Sequence, residues 1–207
     1  MTLRLLGHDD AVKTIKVTPD GSHVISGGDD QTVRVWDLRA GGHVLTLNGD
    51  TGPVSAVAIT PDGGKLVAGS FGGCLHVWDL PAGRQTFQVA GHTGRVMAVA
   101  VTPDGHHAVS GSSDTTMRVW DLRSGQQTLQ VDGHTDWVRA VAVTHDGQHV
   151  LSGSSDQTIR AWDLTTGKQV ARFTGDGGFI LSLAVTTDDV IVAGTASGAV
   201  YFLDFVR

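Results

Sequence analysis

The stretch GHTGRVMAVAVTPDGHHAVSGSSDTTMRVWDLRSG, residues 91–125, decides the fold. An apolar run, Val96 to Val101, meets a turn at Thr102-Pro103-Asp104-Gly105. His107 to Ser110, Met117 to Trp120 and Thr128 to Val131 follow as further short apolar segments. Their lengths and spacing are those of strands, with proline presetting φ in the turn and glycine tolerating φ > 0. Four strands and tight turns make one blade of a β-propeller, and no helix is required anywhere.

The same phrase recurs along the chain. Gly7, Gly49, Gly91, Gly133 and Gly175, each followed by His or Asp, stand 42 residues apart. Trp-Asp follows in register at Trp36, Trp78, Trp120 and Trp162, and becomes Leu203-Asp204 in the last copy, which is one residue shorter around Asp188-Asp189. Self-similarity at a period near 40 residues is the mark of a propeller or solenoid. An all-β fold is therefore expected: one β-propeller domain over residues 1–207, with repeats at about 7–48, 49–90, 91–132, 133–174 and 175–207.

Composition narrows the function. A net charge of -6 over 207 residues offers no basic field for phosphate, which argues against a nucleic-acid partner. No segment approaches the roughly 20 apolar residues of a membrane helix, and the first residues are too short in their apolar part for a signal peptide. The single cysteine, Cys74, excludes an internal disulfide framework and fits a reducing compartment, so a cytoplasmic location is expected. The glycine runs have no following helix to make a phosphate loop, and His106, His107, His145 and His149 sit around turns without ligand spacing. No cofactor or metal is expected.

The Gly-His to Trp-Asp spacing and the Ser-Gly-Ser-Ser-Asp run at Ser110 and Ser152 resemble WD-repeat (tryptophan–aspartate) β-propellers over essentially the whole chain. The Val-Thr-Pro-Asp-Gly and Val-Trp-Asp-Leu-Arg-Ser-Gly phrasing is also similar to propeller regions of bacterial signalling proteins. The first likeness implies five four-stranded blades whose sequence repeats are out of phase with the blades. An N-terminal strand over residues 2–6 then completes the last blade, removing an unpaired edge. A monomer is expected on that account, with a strand-exchanged dimer as the alternative.

The resemblance also implies structural tetrads: His8, Ser26, Asp30 and Trp36; His92, Ser110, Asp114 and Trp120; His134, Ser152, Asp156 and Trp162. A serine, a histidine and an aspartate invite comparison with a hydrolytic triad. Three equal copies fit a repeated brace better than one active site. The second copy has Asp50, Ala68 and Gly72 at these positions, and the fifth has Asp176, Ala193 and Ser197. Such coupled change avoids leaving one buried polar group unsatisfied.

Function is expected where the copies differ. The position before the innermost strand runs Ala11, Pro53, Arg95, Trp137, Phe179, and two residues on it runs Lys13, Ser55, Met97, Arg139, Leu181. Family geometry places both series on the top rim. Lys13, Phe71, Arg95, Met97, Trp137, Arg139 and Phe179 are the candidate partner-binding residues, because aromatics and arginine are typical anchors of protein interfaces. The expected function is a non-catalytic scaffold or sensor module for a peptide or protein. The alternative is a lectin-like or enzymatic propeller using the central channel.

Overall fold

A computed structural model describes residues 4–49 and 52–205. Every regular element is a strand, and consecutive strands pair antiparallel into five sheets. By compactness the chain divides between Val99 and Ala100, inside one strand.

The first unit contains the sheet β1 (Val12–Val17), β2 (His23–Gly28), β3 (Thr32–Asp37) and β4 (Gly42–Asn48). Its second sheet is β5 (Val54–Ile59), β6 (Lys65–Ser70), β7 (Cys74–Asp79) and β8 (Arg84–Ala90). The division falls within β9 (Val96–Val101), which heads a sheet with β10 (His107–Ser112), β11 (Met117–Asp121) and β12 (Gln127–Val131). The second unit continues with β13 (Val138–Val143), β14 (His149–Ser154), β15 (Thr158–Asp163) and β16 (Gln169–Thr174). The last sheet is β17 (Ile180–Val185), β18 (Val190–Thr195) and β19 (Val200–Asp204). These are five blades of an all-β propeller fold, four of them with four strands and one with three.

The fifth blade corrects one expectation. Arg4 to Leu6 form no strand, and Leu6 is exposed, so no closing strand is built from them; residues 2–3 of the expected 2–6 strand lie outside the described residues.

The turns follow the expected chemistry. Thr18 donates its hydroxyl to Asp20, and the backbone N–H of Ser22 donates to the same carboxylate. Gly21 then takes φ 69°, and its counterparts Gly63, Gly105 and Gly147 do the same. In the last copy Asp189 holds that left-handed conformation without a glycine. Asp is among the few residues that accept it.

Blades meet through one repeated contact. The first residue of an inner strand seats on a glycine in the second strand of the preceding blade: Val54 on Gly27, Val96 on Gly69, Val138 on Gly111 and Ile180 on Gly153. A Cβ at Gly111 would stand 2.6 Å from Val138 Cγ1, and one at Gly153 would stand 2.5 Å from Ile180 Cγ2. Glycine is needed because the neighbouring backbone must come that close. Around one such seat Val33, Val35, Val54, Val57 and Trp78 form a continuous buried cluster.

Gly111→Ala or Gly153→Ala is therefore expected to destabilise the protein by about 1–3 kcal/mol through overpacking. Gly42→Ala, where an added Cβ meets nothing within 4 Å, should stay within about 0.5 kcal/mol of the parent. Equilibrium denaturation in urea measures all three.

Candidate functional site

The variable positions before and within the innermost strands are held by two backbone devices. First, an N–H from the turn after the second strand donates to the carbonyl of the residue preceding the inner strand. Asp29 donates to Ala11, Phe71 to Pro53, Ser155 to Trp137 and Ala196 to Phe179, at 2.9 Å each. Second, the register slips by one residue between Val12 and Thr14, Val54 and Ala56, Val138 and Ala140, and Ile180 and Ser182. Lys13, Ser55, Arg139 and Leu181 are thus the residues at the slips, and a β-bulge re-aims the side chain it carries.

In the second unit these devices bring three candidate residues together. The Arg139 guanidinium lies 4.9 Å from the centre of the Trp137 ring and 5.3 Å from that of Phe179. Arg139 Nε donates to Ser155 Oγ, and Asp136 accepts from the Trp137 backbone N–H at 2.7 Å. Trp137 remains 40 % and Phe179 43 % exposed, with Leu181 also exposed beside them in the series. A cation on aromatic faces gains about 0.5–2 kcal/mol and holds its side chain in one place. The resulting patch is apolar and cationic at once, and preorganised.

The first unit carries a smaller version. Arg95 lies 4.5 Å above the Phe71 ring. Lys13 pairs with Asp29 at 2.8 Å, and that hydrogen bond and charge raise the lysine's pKa. Met97 is half-buried. Ser55, at the matching slip, donates to the carbonyls of Val96 and Gly69, so it ties two blades together.

The tetrad residues meet as hydrogen-bonded braces. Trp36 Nε1–H donates to Ser26 Oγ at 2.7 Å, Ser26 Oγ and His8 Nε2 stand 2.7 Å apart, and His8 Nδ1 stands 2.8 Å from Asp30. The fourth copy repeats this with Trp162 to Ser152 at 2.8 Å, His134 to Ser152 at 2.7 Å and His134 to Asp156 at 2.8 Å. In the third, Trp120 donates to Ser110 at 2.9 Å and His92 is buried. With indole as donor to the serine, the hydroxyl donates onward to imidazole and the Nδ1–H donates to aspartate. Trp36 and Ser26 meet because Trp36 faces Val24 across the ladder, placing Ser26 diagonally on the same face. Ser110 and Ser152 are fully buried, each with a lone pair taken by tryptophan, which leaves a substrate no approach to the oxygen.

Burial pushes Asp30 and Asp156 up. Hydrogen bonds from the partner histidine and from Thr32 or Thr158 outweigh it and hold both carboxyls at about 2. Burial lowers the His134 pKa despite Asp156 beside it. Both shifts favour the neutral-histidine, ionised-aspartate state that the brace needs.

The fifth copy holds a substitute that the sequence reading missed. The Tyr201 hydroxyl donates to the Asp176 carboxylate, and Phe173 packs edge-on against the Tyr201 ring at 5.1 Å. Tyr201 occupies the position of Arg34, Arg118 and Arg160, whose guanidinium approaches the tetrad aspartate where Arg160 lies 3.6 Å from Asp156. The signal was present: Asp replaces His at 176 and an aromatic replaces Arg at 201. The second copy has Asp50 and His76 at the same two positions. His76 is buried and stacks on Trp78 at 5.5 Å, while Asp50 lies outside the described residues.

Other features offer less chemistry. A cleft of about 680 Å³ in the first unit is floored by Val35, Val44 and Leu45 and walled by the turns of Asp20 and Asp62. Those carboxylates already accept from Ser22, Thr18, Thr60 and Gly64. Among the described residues no group of three or more His, Cys, Asp or Glu is placed to hold a metal. Cys74 is buried. No helix is long and apolar enough to cross a membrane.

Repeated antiparallel blades, seated on glycines and braced by Trp–Ser–His–Asp, define a WD-repeat protein. The chain belongs to the WD domain, G-beta repeat family, whose model matches residues 1–37, 41–79 and 83–121, together more than half of it. Residues 134–205 match the family model of the TEP-1 C-terminal beta-propeller. Curated relatives match over about one repeat. The ribosome biogenesis protein BOP1 homolog of Drosophila melanogaster is 39% identical over 44 residues, 21% of this chain and 6% of that protein. The small ribosomal subunit protein RACK1 of Caenorhabditis elegans is 47% identical over 45 residues, 22% of this chain and 14% of that protein.

Ser152→Ala, which strands the Trp162 N–H and His134, should lower stability by about 1–3 kcal/mol in chemical denaturation. A separate expectation concerns acid. The His134 pKa is lowered from 6.5, and Asp30 and Asp156 are lowered from 3.8 to about 2, so the unfolded chain binds more protons in both windows. The melting temperature should fall as pH drops below 6.5, and fall again between 3.8 and about 2. Asp156→Asn should shrink the second step in a pH series of thermal melts.

Proposed function

We propose that this chain is a non-catalytic protein-interaction scaffold or sensor module that grips a peptide or protein partner through its variable strand-start residues. The observation that carries this reading is Arg139 stacked on two half-exposed aromatic rings, Trp137 and Phe179. Neighbouring exposed aromatics make a patch suited to a partner, and Trp and Arg are enriched at interface hot spots. In the first unit, Arg95 with Phe71, Met97 and Lys13 supply further contacts of the same kind.

A binding role also agrees with what the repeats do with their polar groups. The tetrad serines, histidines and aspartates of the first and fourth copies are engaged in buried braces, which supports a structural role for them over one as nucleophile, base or acid. The relatives are named for ribosome biogenesis and for the small ribosomal subunit, and a partner within a large protein assembly fits those names. The sensor reading rests on the repeat phrasing alone, and the cytoplasmic location on the free, buried Cys74.

Replacing Arg95, Trp137 and Arg139 together with alanine should weaken capture of the native partner by about tenfold or more, the loss of at least about 1.4 kcal/mol. Affinity capture from native lysate, followed by binding titration of the captured protein, measures this. Unchanged capture by a variant with the parent's melting temperature contradicts the reading.

A further inference from the structure

The repeats bring two positions together: the residue at the inner-strand slip, and the first residue of the turn after the second strand. In the first copy these are Lys13 and Asp29, an ion pair at 2.8 Å. In the fourth they are Arg139 and Ser155. The backbone is the same in both copies, with the slip at the cation and the turn N–H donating to the carbonyl of Ala11 or Trp137. Only the acid has changed, to a hydroxyl. The other copies carry no charge at either position: Ser55 with Phe71, Met97 with Ser113, and Leu181 with Ala196. The fourth copy alone keeps the cation without its carboxylate.

Ser155 Oγ meets Arg139 Nε and leaves the two terminal nitrogens of the guanidinium. Among the described residues those nitrogens have no acceptor and no carboxylate within ion-pair distance. Arg160, two strands on, gives one terminal nitrogen to Gln169 and holds the other 3.6 Å from Asp156. Asp136, close to Arg139 in sequence, accepts from the Trp137 backbone N–H instead. The Trp137 and Phe179 rings fix the plane of the Arg139 guanidinium without neutralising it. A planar fork of donors held in one direction matches a carboxylate, which accepts two parallel hydrogen bonds.

We propose that the partner supplies the missing group: an aspartate or glutamate side chain of a peptide segment, received by Arg139 as Asp29 is by Lys13. An apolar residue beside that acid lies on Trp137. This rests on the proposed binding role and adds the chemical class of the residue gripped. The first copy, its cation already paired within the chain, takes no such acid.

Short random peptides, displayed with both ends joined to a carrier so that none offers a terminal carboxylate, are selected on the full chain. Those whose binding Trp137→Ala abolishes are then made with blocked ends and titrated by calorimetry. They are expected to share one acidic residue, whose change to the amide weakens binding about tenfold or more. Arg139→Gln should cause the same loss for the acidic peptide and none for the amide peptide. Ser155→Asp places a carboxylate where Asp29 stands in the first copy. It should weaken the acidic peptide about tenfold and spare the amide one, with unchanged strand circular dichroism. Trp137-dependent peptides without a shared acid, an amide peptide that binds as well as the acid, or a phosphoserine at that position that binds more tightly than the acid would each overturn this inference and leave the binding role standing. The absence of any Trp137-dependent peptide would overturn both.

Discussion

A β-branched side chain standing where a glycine has no Cβ is the contact on which the rest of this protein depends. Val54 on Gly27 and Ile180 on Gly153 bring neighbouring sheets closer than any other residue at the glycine position would allow. That approach is what buries the third-strand valines and tryptophans into clusters running from blade to blade. It also sets where the inner strands begin. At Val54, Val138 and Ile180 the residue just before the seat is pinned by a turn N–H, the residue just after it falls on a register slip, and both are variable positions. The frame and the candidate binding patch therefore share one cause.

The tetrads act on a second level. In the first and fourth copies an indole, a hydroxyl, an imidazole and a carboxylate are tied into a line, so the buried polar groups cost little. Where the line is absent the polarity is rearranged. In the fifth blade the Tyr201 hydroxyl and the Asp176 carboxylate replace it, and Phe173 packs on the tyrosine ring. The fifth copy, which departs from the tetrad, is thus not simply unbraced. The fifth has exchanged a histidine–aspartate–arginine set for an aspartate–tyrosine one.

Much of this was legible in the sequence because the repeat is nearly exact in length. A constant step of 42 residues fixes strand order and turn placement, and the positions that vary against it mark the candidate partner-binding residues. The slips at Lys13 and Arg139 were hidden because they recur at the matching positions Ser55 and Leu181, so they leave no irregularity in spacing. The stacking of Arg139 between Trp137 and Phe179 was hidden for another reason: Phe179 lies in the next repeat, and only the seating of one blade on the next brings it within reach of Arg139. Arg4 to Leu6, read as part of a closing strand from their likeness to an outer strand, form no strand.

The central claim is that the glycine and the β-branched residue form one coupled unit. A double-mutant cycle on Gly153 and Ile180 tests it directly. Gly153→Ala alone crowds Ile180, and Ile180→Ala alone leaves a void, so the pair together should cost markedly less than the sum of the two. The account predicts a coupling energy of about 1 kcal/mol or more in equilibrium denaturation. Additivity within about 0.3 kcal/mol would contradict it, since residues out of contact behave in that way.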